Sequence, residues 1–176
     1  MNFLEAIKSV FSKYATFSGR ARRSEFWYFF LLNFVVGIVL SKIPSLSFLS
    51  FIWSLGVLIP YLAVTVRRFH DIGKSGWYLL VPVIPALAYT GYLVYYVIKV
   101  MKETGDSFYD IDAISQHIMN NPSGIIAIVL LGLLFLVAFI VWIVWMAKDS
   151  QPGENKWGPN PKEQPGTPLD NNNNEW

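Results

Sequence analysis

Gly124-Ile-Ile-Ala-Ile-Val-Leu-Leu-Gly-Leu-Leu-Phe-Leu-Val-Ala-Phe-Ile-Val-Trp-Ile-Val-Trp-Met-Ala147 runs without one charged side chain. About 17–25 apolar residues in a helix cross a hydrocarbon core of about 30 Å, so this stretch alone is long enough to span. Three more stretches share its character: Phe26–Ile43, Phe48–Val66 and Trp77–Ile98. Across all four the only charged residue is Lys42, one position from an end. A buried helix of a water-soluble domain is the competing reading for any one of them. Four in a chain of 176 residues leave too little polar sequence to cover such a core. The expected fold is therefore all-α, a four-span transmembrane helical bundle. Composition agrees, with 53% hydrophobic and 15% charged residues against about 45–50% and 25% in soluble domains.

Working outward, the Lys and Arg residues set an orientation. The segment before the first span holds Lys8, Lys13, Arg20, Arg22 and Arg23. The second connection holds Arg67, Arg68 and Lys74, and the tail Lys148, Lys156 and Lys162. With four crossings these segments share one side and hold eleven of the 14 cations. Both termini are expected in the cytoplasm. Trp27, Tyr28, Trp77, Tyr78, Trp142 and Trp145 then mark the cytoplasmic interface, and Tyr92, Tyr95 and Tyr96 the outer one.

Glu5, Lys8 and Lys13 interrupt the apolar run at the start, so no secretory signal is expected and the first span serves as an uncleaved anchor. Phe3, Leu4, Ile7, Val10, Phe11 and Tyr14 instead recur at three- and four-residue steps. They predict an amphipathic helix, lying on the cytoplasmic leaflet or docked on another helix. The connection Lys99–Pro122 is acidic, and Ile111, Ile114 and Ile118 predict a short helix within it. Asp110, Asp112 and His117 there read as solvated groups and not as a metal site. Residues 1–162 are expected to form one integral membrane unit. Residues 163–176, with Pro165, Gly166, Pro168 and Asn171–Asn174, are expected to be disordered.

Three polar motifs flank the spans. In Phe17-Ser-Gly-Arg-Ala-Arg-Arg-Ser-Glu-Phe-Trp-Tyr28, Gly19 permits a sharp bend. Ser24 is placed to cap the first span, with Glu25 at its positive end. In Arg67-Arg-Phe-His-Asp-Ile-Gly-Lys-Ser-Gly-Trp77, cations close the second span and Gly73 and Gly76 turn into the third. Its Gly-Lys-Ser string is not a phosphate loop, because Arg68 stands where the motif needs glycine and no strand precedes it. Asp149-Ser-Gln-Pro-Gly-Glu-Asn-Lys-Trp-Gly-Pro-Asn-Pro161 predicts a string of turns.

Together the motifs resemble the DUF805 family of small bacterial inner-membrane proteins, a family of unknown function. The resemblance rests on Gly19–Glu25, Arg68–Trp77, Pro152–Asn155 and Gly158–Pro161, and spans about residues 14–162. The usual family pattern passes from the Gly-Trp turn through a single short apolar segment to the Pro-Gly-Glu-Asn tail. Here that stretch is expanded into two spans and the acidic loop.

No ionisable group lies at mid-depth, unlike the paths of pumps and proton-coupled transporters. Asn33, Ser54 and Thr65 are expected to hydrogen-bond between helices. Pro60, Pro82 and Pro85 either kink helices around a cavity or serve packing. Arg20, Arg22, Arg23, Arg67, Arg68 and Lys74 are candidates for binding anionic headgroups or an acidic partner, with Glu25 and Asp71 as structural ion-pair members. Catalysis by His70 and Asp71 is a third reading of the same cluster. The expected function is non-enzymatic: a membrane-embedded interaction or regulatory protein. The alternative is a small transporter or channel. Membrane lipids are the expected partners, with a protein partner or a homo-oligomer also admitted; no nucleic acid, metal or cofactor is expected.

Overall fold

The computed structural model describes residues 1–105 and 111–163. Most of the expected tail, and Asp110 of the acidic loop, lie outside the described residues. The described chain is helical, in the order α1 Phe3–Ser12, α2 Arg23–Ser41, α3 Ser47–Asp71, α4 Leu80–Thr104, α5 Ile111–Asn120 and α6 Pro122–Ala147. Short 3-10 turns at Pro44–Leu46 and Gly76–Leu79 precede α3 and α4. Four of these helices, α2, α3, α4 and α6, are long and apolar enough to cross a membrane. The chain falls into two compact units, Met1–Tyr78 with Trp145–Trp176, and Leu79–Val144.

In the first unit α2 and α3 pack against each other, and α1 lies along both. Asn2 caps α1, accepting from the Glu5 amide at 2.9 Å while Glu5 accepts from the Asn2 amide at 2.9 Å. Ala6 and Val10 are wholly buried, and Phe11 meets Phe29 edge-on at 5.6 Å. One face of α1 is thus docked on helix, while Lys8 and Lys13 are exposed.

The first turn of α2 corrects one expectation. Ser24 is not its cap: the helix begins at Arg23, its N-cap is Arg22, and no side chain caps it. The chain enters from extended backbone at Arg22, and Glu25 takes the first-turn position favoured by the helix dipole. Asn33, Ser54 and Thr65 correct a second. Each donates to a carbonyl one turn back in its own helix, to Phe29, Ser50 and Tyr61 at 2.7–2.8 Å. A short polar side chain reaches its own i−4 carbonyl without needing a neighbour.

In the second unit Tyr89 stacks on Phe135, with ring centroids 6.2 Å apart. Gly124 sits where a Cβ would stand 2.0 Å from the Tyr96 ring, so only glycine lets α6 approach so closely. The expected loop helix is α5, which carries His117 within 3.5 Å of Glu103 on α4.

Candidate functional site

The motif residues converge at one end of the first unit. Helix α3 does not stop where its apolar run ends at Val66. It continues through Arg67, Arg68, His70 and Asp71, all buried, to Gly73 at φ +77°. Consecutive helical residues point to different sides, so Arg67 and Arg68 serve different neighbours.

Arg67 turns toward α1 and α2. Its Nη1 donates to Glu25 Oε1 at 2.8 Å, and Ser9 of α1 donates to the same oxygen at 3.2 Å. The Arg67 carbonyl accepts from the Ala21 amide at 3.1 Å. Arg67 and Glu25 side chains are 1% and 3% exposed, so the pair is desolvated.

Arg68 turns toward the end of α6. Its Nε donates to the Met146 carbonyl at 3.2 Å and its Nη2 to the Lys148 carbonyl. Helix ends leave four carbonyls without intrahelical partners, and a guanidinium fork suits them. Its Nη1 donates to Asp71 Oδ2, which also accepts from Ser150 at 2.6 Å.

Arg20 completes the assembly. Its Nε donates to Asp71 Oδ1 at 3.0 Å, and Nη1 donates to the Gly153 and Gly158 carbonyls at 2.7 and 3.3 Å. Nη2 donates to the carbonyls of Gln151 and Asp71. All five N–H groups of a guanidinium are used. Arg22 donates to the Pro161 carbonyl. His70 Nδ1 donates to the Gly19 carbonyl at 3.1 Å, and its ring stacks on Trp157 at 4.5 Å.

The Pro-Gly tail motif is therefore a strap. Its turns, closed by paired bonds between Asn155 and Gly158, present carbonyls inward, and Arg20 and Arg22 collect them. Gly153 and Gly158 adopt φ of +65° and +123°, a backbone that side chains resist. Asp71 is the hub: wholly buried, with both oxygens engaged by Arg20, Arg68 and Ser150.

The candidate residues thus separate into two sets. Arg20, Arg67 and Arg68 are buried with Glu25 and Asp71, and Arg22 is half-buried on the strap. Arg23 is exposed and lies 3.3 Å from Asp149. Lys162 donates to Asp149 at 2.6 Å, and this bond, with the charges of Lys162 and Arg23, holds the Asp149 carboxyl below the usual carboxylate range. Lys74 sits over the Tyr78 and Trp145 rings at 4.3 and 4.7 Å. Lys148 and Lys156 are exposed nearby.

Two features of the buried set bear on ligands. Three guanidiniums share two carboxylates, leaving one positive charge in excess. Arg67 Nε and Nη2 are buried without a hydrogen-bond partner among the described residues. Among those residues no three His, Asp or Glu side chains gather as a metal site. Sequence reasoning missed Ser9 and Ser150, which donate to the two carboxylates, Gln151, which accepts through its backbone carbonyl, and Trp157, which stacks on His70. The signal in the sequence is the turn chemistry of 152–161, whose inward carbonyls need donors.

A family model described as "Protein of unknown function (DUF805)" matches residues 14–110. Inner membrane protein YhaI of Escherichia coli strain K12 is 38% identical over 93 residues, which are 50% of this chain and 79% of that protein. Inner membrane protein YhaH of the same strain is 33% identical over 95 residues, 49% of this chain and 78% of that protein. No solved structure matches.

Proposed function

The chain belongs to the DUF805 family of proteins of unknown function, and from that premise we propose that it is a non-enzymatic inner-membrane protein whose arginine-rich end binds anionic phospholipid headgroups. One observation carries the reading: three buried guanidiniums share two carboxylates, so this end of the first unit keeps a surplus positive charge that draws anions to the exposed cations around it. Arg20 and Arg68 give their donors to carboxylate and carbonyl groups; their part is to hold the surface in shape. Exposed Lys8, Lys13, Arg23 and Lys148 supply the attraction, at about 1 kcal/mol each beside an anionic leaflet.

Replacing those four by Gln should lower the phosphatidylglycerol retained on the purified chain by about tenfold or more. The thermal midpoint in detergent should stay unchanged, because none is buried. Native mass spectrometry reads the bound lipid. Retention equal to wild type at every salt concentration would remove headgroups from the account and leave the cluster as a topology signal with structural pairs. Solute flux in proteoliposomes would instead favour a transporter or channel.

The arginine-rich end and both termini face the cytoplasm in this proposal, on the positive-inside bias. The YhaI and YhaH names place those relatives in the inner membrane, which supports the same compartment here. The chain has no cysteine. Ser115→Cys should therefore react with an impermeant thiol reagent in intact spheroplasts, and Lys162→Cys only after lysis. The reverse pattern would invert the orientation.

A further inference from the structure

Tyr14 lies two residues beyond α1, and its hydroxyl donates to the Gly56 carbonyl of α3 at 2.5 Å. In an α-helix that carbonyl would take the N–H of the residue four positions on, which here is Pro60. Proline has no N–H, and its ring crowds the carbonyl one turn back. Helix α3 nevertheless runs from Ser47 to Asp71 through Pro60. A backbone bond left unmade is costly in a membrane, where no bulk water supplies one, and proline is tolerated there when another group makes the bond good. The Tyr14 hydroxyl is placed to do so. Gly56 has no side chain to cover the carbonyl, and a Cβ there would meet nothing within 4 Å.

We propose that α1 is a clasp on a proline hinge: Tyr14 lends Gly56 the hydrogen bond that Pro60 cannot, and its release lets α3 bend between these two residues. A kink at proline needs a missing bond in the helix ladder and room to move. The room is an apolar groove of about 480 Å³, which Gly56 and Val57 line with Val36 and Leu40 of α2 and Phe11 of α1. The two halves of α3 are held unequally. The Pro60 ring is wholly buried, and so beyond it are Ala63, Val64, Arg67 and Arg68. The half that follows the proline is therefore anchored, by the Arg67–Glu25 pair among other contacts. In the half that precedes it, Phe48, Phe51, Ile52 and Leu55 are exposed. Bending moves this amino-terminal half against a fixed carboxy-terminal one. The clasp itself is lightly held. Lys13, Tyr14, Ala15, Thr16 and Phe17 are all exposed, and local opening concentrates where few buried contacts oppose it. The device does not depend on headgroup binding at the arginine-rich end.

The test uses the full chain in nanodiscs of phosphatidylethanolamine and phosphatidylglycerol. The chain has no cysteine, so Phe48→Cys and Trp77→Cys place spin labels at two exposed positions of the first unit, with the hinge between them. Pulsed electron resonance should give one dominant distance when Tyr14 is present. Tyr14→Phe keeps the ring and removes only the hydroxyl. A second, shorter distance should then grow about fivefold to tenfold, the weight of one hydrogen bond. Pro60→Ala returns an N–H to the Gly56 carbonyl, so in that background Tyr14→Phe should change nothing. The thermal midpoint should follow the same pattern, falling with Tyr14→Phe alone and holding when Pro60→Ala accompanies it. Leu49→Cys, also at an exposed position, replaces Phe48→Cys should the first labelled pair disturb the fold. A distance distribution indifferent to Tyr14→Phe would overturn the proposal. An equal response with and without Pro60→Ala would overturn it too, and would make Tyr14 a packing residue with no bearing on the proline.

Discussion

Asp71→Asn should destabilise the first unit by about 3–5 kcal/mol, the range found when one member of a buried ion pair is removed. The side chain keeps its shape and loses its charge. Arg20 and Arg68, both buried, then face a neutral amide that can no longer compensate either of them. Such a loss is a large share of the about 5–15 kcal/mol that holds a typical domain together. Thermal or detergent-titrated unfolding of the purified chain measures it. Asp149→Asn is the matched control, because Asp149 pairs with Arg23 and Lys162 in water-exposed surroundings. It should leave the midpoint where it was. Equal effects of the two substitutions would show that burial of the Asp71 cluster carries no special weight.

Truncation after Asp149 should be more damaging still. Arg20 would lose the Gln151, Gly153 and Gly158 carbonyls, Arg22 the Pro161 carbonyl, and Asp71 the Ser150 hydroxyl. Each buried group left unsatisfied costs about 1–3 kcal/mol, and hydrogen bonds to charged groups stand at the upper end. The shortened chain should fail to accumulate in membranes, read by an amino-terminal tag. Any fraction that does accumulate should be cut by protease between Gly19 and Arg23. Removal of residues 164–176 alone should change neither readout. Normal accumulation and protease resistance of the chain ending at Asp149 would mean that the strap is dispensable.

Much of this was legible in the sequence, and the misses share a cause. The four apolar runs located the long helices, because hydrophobic length is a local property. The ends were less legible. The second run ends at Val66, but α3 extends to Asp71 since its charges are met by tertiary partners. The third run ends at Ile98, but α4 continues past Lys99 and Lys102 to Gly105 at φ +57°. A charge marks where a helix leaves apolar surroundings, not where its backbone hydrogen bonding stops. The candidate cluster was legible as a set of residue types, since Glu25, Asp71 and the arginines stood near span ends. Its wiring was not. Most acceptors are backbone carbonyls, which every residue possesses, so sequence cannot say which ones Arg20 will find. Asn33 shows the converse: its mid-span position drew notice as a link between helices, but its amide turns back to the Phe29 carbonyl of its own helix.

The strap also orders events in time. Arg20 leaves the ribosome 131 residues before Gln151, whose carbonyl it will hold. At about 5–20 residues per second that gap lasts about 7–26 seconds. During it α2 and α3 can be inserted and paired, yet Arg20 and Arg22 have no strap to grasp. Their donors stay hydrated until translation has passed Pro161. The nascent protein thus carries a built-in mark of incompleteness, a solvated arginine pair that disappears only when the last motif arrives. A membrane quality-control protease that attacks hydrated, unlatched segments would find its target in every chain ended before Pro161 and lose it in every chain that carries the strap.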